Sequence, residues 1–106
     1  MQDSPANTLV IEGQVMRSPE TRCSPAGIPI SRFVLDHQSR CDEAGAVREV
    51  RLRLGVVVAG RQLQPAVSRL VAGSWVRVEG FLARTGFRSA DHRLVLHAQS
   101  MEILND

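Results

Sequence analysis

Hydrophobic and polar positions alternate through most of this chain. Residues 8–16 read Thr-Leu-Val-Ile-Glu-Gly-Gln-Val-Met, with Leu9, Ile11, Gly13 and Val15 on one side of a period of two and Glu12 and Gln14 on the other. That period predicts a half-buried β-strand. A glycine in mid-strand predicts a bend, a bulge or a close backbone approach, as at a barrel corner. A second strand is predicted over about 30–39, with Phe33 and Leu35 pointing one way and Arg32 the other. Val34 shares the side of Arg32, so that side is expected to be covered in part. The third strand, about 47–58, has the clearest alternation: Val50, Leu52, Leu54, Val56 and Val58 oppose Glu49, Arg51 and Arg53. A fourth over 74–84 sets Val76, Val78, Gly80 and Leu82 against Trp75, Arg77, Glu79 and Phe81. A fifth over about 92–104 places Leu94, Leu96 and Ala98 on one face.

The segments between them read differently. Residues 17–29 contain Pro19, Pro25, Gly27 and Pro29 and predict one long, stiff hairpin loop. Residues 41–45 predict a turn. Residues 60–73 lose the alternation, and Leu63, Ala66, Val67 and Leu70 fall at helical spacing. One short helix is expected there, with Pro65 in its first turn and Gly73 ending it. Residues 84–91 form a basic loop carrying Phe87. Three strands, a short helix and two strands give an all-β fold, a five-stranded OB-fold barrel. An open antiparallel sheet is the alternative, and the apolar residues on both faces of the second strand favour closure. No segment repeats at solenoid periods. The length fits one domain over 1–106, with residues 1–6 as a flexible N-terminus and a frayed end at Asn105 and Asp106.

Composition sharpens this picture. The aromatics are Phe33, Phe81, Phe87 and Trp75, with no tyrosine, so the core must be built from Val, Leu and Ile. A net charge of +2 admits an anionic partner without requiring one. All 13 basic residues are arginine. The codon bias of a genome rich in G and C accounts for that choice. Whatever its origin, each cation is a forked guanidinium that can grip a phosphate or stack on a base. Cys23 and Cys41, both in segments read as turns, form no CxxC pair or Cys/His cluster and are expected to be free thiols without a metal. No apolar run approaches the roughly 20 residues of a membrane helix, and the N-terminus lacks the basic and apolar regions of a signal peptide. A soluble cytoplasmic protein is expected.

The chain lacks the GxSxG, P-loop, HExxH and GxGxxG patterns. His37, His92 and His97 each stand alone, and Asp36 and His37, adjacent on a strand, point to opposite faces. No enzyme and no cofactor are expected. Nucleic-acid binding fits better, because OB-folds hold single strands across strands two and three and between the 1–2 and 4–5 loops. Arg17, Arg22, Arg32, Arg48, Arg51, Arg53, Arg84, Arg88 and Arg93 fall in those segments. A polar outer barrel surface would place many of them there too, since the segments make up more than half the chain. Phe87 is the candidate stacking ring, with anchoring of its loop as the other role. Trp75 and Phe81 share a face that could cover a helix, a dimer interface or a base, and Phe33 belongs to the core.

Several of these stretches carry a resemblance. Asn7-Thr-Leu-Val-Ile-Glu-Gly-Gln-Val-Met-Arg-Ser-Pro19, Ser24-Pro-Ala-Gly-Ile-Pro29, Arg32-Phe-Val-Leu-Asp-His37, Glu43-Ala-Gly45, Val78-Glu-Gly-Phe81 and Leu94-Val-Leu-His-Ala98 are similar to the primosomal replication protein N (PriB) family, relatives of bacterial single-strand-binding proteins. The resemblance spans residues 7 to 104. It implies a homodimeric, non-catalytic OB-fold of the replication-restart primosome that binds single-stranded DNA and bridges the primosomal helicase to helicase-loading proteins. It implies a cytoplasmic, nucleoid-associated protein, and it matches Arg22, Arg88 and Arg93 to basic DNA contacts of the family. The chain departs from the pattern at Ala46 and Arg51, where the family can carry aromatics, at Gln38, where it can carry a basic residue, and near Gly86, at a basic loop position. Stacking on the third strand is thereby removed, with Arg51 as a guanidinium substitute. The departures also favour an alternative function, an OB-fold protein-interaction module whose DNA binding is weak or vestigial.

Overall fold

The structure is a computed structural model that describes residues 4–85 and 93–105. Its elements are β1 (Leu9–Val15), β2 (Glu20–Cys23), β3 (Pro29–Glu43), β4 (Ala46–Ala59), α1 (Gln64–Val67), β5 (Trp75–Arg84) and β6 (Leu94–Ile103). The strands lie in the order β1-β5-β6-β4-β3-β2, and β1 also pairs with β3. That added pairing, Gln14 with Asp36 and Val15 with Leu35, closes a five-stranded barrel from β1, β5, β6, β4 and β3. The pairing of β4 with β6 is parallel; all others are antiparallel. The barrel and its chain order are those expected of an OB-fold.

Closure depends on β1 leaving one neighbour for another. Gly13 still faces Val76 of β5, while Gln14 faces both Trp75 and Asp36. A Cβ on Gly13 would stand 2.5 Å from the Asp36 carbonyl oxygen and 2.9 Å from the Leu35 Cγ. The mid-strand glycine is therefore the close approach that its position predicts.

The inward faces form a core of Val15, Phe33, Leu35, Val56, Val58, Val76, Val78 and Leu96, capped at one barrel end by Val67 and Leu70. Buried Ser31 is bonded to Thr21 Oγ1 at 2.7 Å and accepts from Gln64 Nε2 at 3.0 Å. Among the described residues no buried polar side-chain atom lacks a partner, as a stable core requires.

The structure corrects the sequence reading in four places. The stiff loop at 17–29 contains a strand, β2, which pairs along β3 from Glu20–Arg32 to Cys23–Pro29. All four of its residues are exposed, so no hydrophobic alternation marks it. Second, the turn at 41–45 shrinks to Ala44 and Gly45, and β3 and β4 continue past the barrel as a long two-stranded arm. Third, Cys23 and Cys41 consequently lie in strands; both are free and exposed. Fourth, only Gln64–Val67 are α-helical. The next amides donate to carbonyls only three residues back, Arg69 to Ala66 and Leu70 to Val67, before Gly73 turns the chain at φ 94°. The helical spacing thus survives in the burial of Val67 and Leu70, without a helix long enough to carry it.

The arm's turn supplies a first prediction. Ala44 has φ 53° and Gly45 φ 81°, the two left-handed positions of a type I′ hairpin. An L residue costs about 1–2 kcal/mol there, partly offset by the freedom glycine gives the unfolded chain. Ala44→Gly is expected to stabilise the fold by about 0.5–1 kcal/mol and raise the melting midpoint by roughly 2–6 °C. An unchanged or lower midpoint by circular dichroism would contradict this turn geometry.

Candidate nucleic-acid interface

Residues directly opposite on paired strands share a face. On the outside of the barrel, Arg32 lies opposite Val57, Val34 opposite Gly55, Asp36 opposite Arg53 and Gln38 opposite Arg51. The β4–β6 pairing adds Val95 beside Gly55 and His97 beside Val57. Of these, Arg32, Val34, Arg53, Gly55, Val57, Val95 and His97 floor an open cleft of about 980 Å³, rimmed by the loop after β1 and by the residues that flank the 4–5 loop. Val34, the apolar residue on the polar side of its strand, is 41% exposed and Leu94 is 48% exposed. The covered surface expected over Val34 is thus an open apolar floor within this chain.

Five of the sequence candidates converge here: Arg17, Arg32, Arg53, Arg84 and Arg93 all line the cleft. They come from the loop after β1, from β3, from β4 and from both sides of the 4–5 loop, so closure of the barrel brings them together. Among the described residues, no ion pair or side-chain hydrogen bond engages Arg17, Arg32 or Arg84. Arg53 stands 3.7 Å from Asp36. Among the described residues Glu20 is the one carboxylate in the lining, opposite Arg32 across β2 and β3. The cleft therefore carries a clear positive excess above an apolar floor.

The other candidates stand elsewhere. Arg22 is on exposed β2. Arg48 and Arg51 are on the arm, in a shallow recess shared with Asp42, Glu43 and Glu49. Arg48 is bonded to Glu43 at 2.8 Å, so its charge is locally neutralised. Arg51 has no such partner among the described residues. Phe87 and Arg88 lie outside the described residues, as does Gly86.

The opposite outer face has a different charge. Arg77 on β5 binds Glu12 of β1 at 2.7 Å through Nε and Glu102 of β6 at 2.8 Å. Its hydrogen bond to Glu12, with the charges of Glu12 and Glu102, holds the guanidinium pKa above its ordinary value. Two carboxylates around one cation leave that face net negative, unsuited to a phosphate chain.

Sequence reasoning missed His97. It lines the cleft, and its ring lies parallel to that of Phe81 at a centroid distance of 5.1 Å and an interplanar angle of 6°. Alternation along β6 puts His97 on the outer face, but only the β5–β6 register places it opposite Phe81. His37 has a structural role: one ring nitrogen meets the Glu12 carbonyl at 2.6 Å and the other meets Ser39 Oγ at 2.8 Å, tying β3 to β1. Among the described residues no cluster of His, Cys, Asp and Glu could hold a metal ion. No described helix is long and apolar enough to cross a membrane.

Comparison with known proteins places this geometry in a context. Residues 7–100 match a family described as another single-strand binding protein family. The chain is 39% identical over 99 residues to the replication restart protein PriB of Yersinia pseudotuberculosis, covering 93% of this chain and 94% of that one. The structure of PriB from Ralstonia solanacearum superposes with a TM-score of 0.80 at 26% identity, over 95% of this chain and 100% of that one. The single-stranded DNA binding protein of Thermus aquaticus superposes with a TM-score of 0.77 at 26% identity, over 94% of this chain and 50% of that one.

Proposed function

The chain belongs to the single-strand binding protein family and, within it, to the PriB replication restart proteins, and on that premise we propose that its cleft holds single-stranded DNA during replication restart. The observation that carries this reading is the convergence of Arg17, Arg32, Arg53, Arg84 and Arg93 on one apolar-floored cleft. An open sheet face with cations along its rim can track a phosphate chain while bases lie against the floor. A duplex buries its bases and gains nothing from such a floor, so single strands are preferred. The protein acts by binding, without catalysis, as a cytoplasmic accessory protein that bridges the primosomal helicase to helicase-loading proteins.

It does so as a homodimer. Between Leu9 and Gly13, β1 pairs with β5 alone among the described residues, and Val10 on that strand is 53% exposed. An uncovered strand edge invites pairing with a second copy. Size-exclusion with light scattering should give the mass of two chains at micromolar concentration, and a monomer there would contradict the dimer.

A second reading is an interaction module whose hold on DNA is vestigial. Ala46 and Arg51 on β4 favour it, because that strand carries no ring on which a base could stack. Fluorescence polarisation with labelled dT oligonucleotides at two salt concentrations separates the readings. Submicromolar affinity at low salt that weakens steeply as salt rises supports DNA binding, since phosphate contacts release counterions. An absence of binding at low salt would leave the interaction module.

A further inference from the structure

We propose that the ring pair of Phe81 and His97 is a nucleobase-stacking subsite of the cleft; this rests on the reading of the cleft as a single-strand site. A base needs a π-face to lie against and an apolar surround from which water is easily displaced. The rings of Phe81 and His97 are parallel, at 6°, with centroids 5.1 Å apart, within the offset-stacked range. Phe81 covers one face of the His97 ring, and His97 itself reaches the cleft.

The surroundings fit the same ligand. His97 is directly beside Val57, and the next row of the sheet holds Gly55 and Val95. Arg32 lies opposite Val57 on β3. A base against the His97 ring thus has aliphatic side chains beneath it and a guanidinium two strands away, within the same cleft. That is the order a nucleotide requires, with its base over apolar surface and its phosphate toward a cation. The backbone fixes the pair in advance. At Glu79/Gly80 the β5–β6 register shifts, passing over Gln99, and Phe81 then falls opposite His97. A ring already held against a neighbour loses little freedom when a base joins the stack.

The test uses the full chain with His97→Ala and His97→Phe. Each is titrated with a dT oligonucleotide and with an abasic oligomer of the same length. His97→Ala should weaken dT binding about 10-fold, within the range for loss of one base–aromatic stack. Its affinity for the abasic strand and its salt dependence should match the native protein. His97→Phe should retain dT affinity, because a plain ring also stacks. Equal losses on dT and abasic strands, or unchanged dT binding by His97→Ala, would overturn the subsite while leaving the single-strand reading in place. Failure of the native chain to bind dT would overturn both.

Discussion

Arg17→Ala, Arg32→Ala and Arg84→Ala combined in one chain should lower affinity for a dT oligonucleotide by roughly 100-fold at about 50 mM salt. These arginines line the cleft without an internal ion pair among the described residues, so their charge is available to a ligand. Each phosphate contact on a single strand contributes about 0.7 to the slope of log affinity against log salt. Loss of three should flatten that slope by about 2. The variant should fold normally, because none of the three supports the core. Arg69→Ala is the control: Arg69 lies outside the cleft lining and its loss should change neither affinity nor slope. A triple variant that binds like the native chain would show that the cleft is not the DNA site.

Gly80→Val should be the most damaging single change to the fold. A Cβ on Gly80 would run into the His97 carbonyl oxygen, 2.8 Å from the His97 carbonyl carbon and 3.1 Å from the Ala98 Cα. All three are backbone atoms of the paired strand, so no side chain can turn aside. The strands would have to separate where the register shifts between Glu79 and Gly80. Overpacking of this kind costs about 3 kcal/mol, a large share of the stability of a domain this small. The melting midpoint should fall by roughly 12–20 °C, if the chain folds at all. A midpoint within a few degrees of the native value would mean that β5 and β6 are not this close.

These two positions differ in how far the sequence discloses them. Alternation alone identifies Val56, Val58, Val76, Val78 and Leu96 as core, and it places Arg32 and Arg53 on the outer face. The order of strands around one short helical turn is enough to indicate the barrel. Gly80 reads only as one small residue on the inward side of a strand. Its importance arises from the shifted register, which involves a residue 17 positions later. Exposed β2 leaves no period to read, because both its faces meet solvent. His97 illustrates the same limit at the site. A histidine on the outer side of a strand is ordinary until the pairing sets Phe81 beside it.

The arginines divide in a similar way. Sequence position makes Arg48, Arg53 and Arg77 look alike, each on a strand among alternating residues. The fold gives them different surroundings. Arg77 is held between Glu12 and Glu102, Arg48 is held by Glu43, and Arg53 borders the cleft beside Asp36. Surface ion pairs of this sort add little stability, but they decide which cations face a phosphate unshared. The convergence of several arginines on one face is a property of the tertiary arrangement that a count of basic residues does not reveal.

The central claim is that single-stranded DNA lies in the cleft over β3, β4 and β6, and amide chemical-shift mapping of the labelled protein with a dT oligonucleotide tests it most directly. The largest shifts should fall on Arg32, Val34, Arg53, Val57, Val95 and His97, with little change around Glu12, Arg77 and Glu102. Shifts concentrated on the β1–β5 outer face, with the cleft residues unmoved, would contradict it.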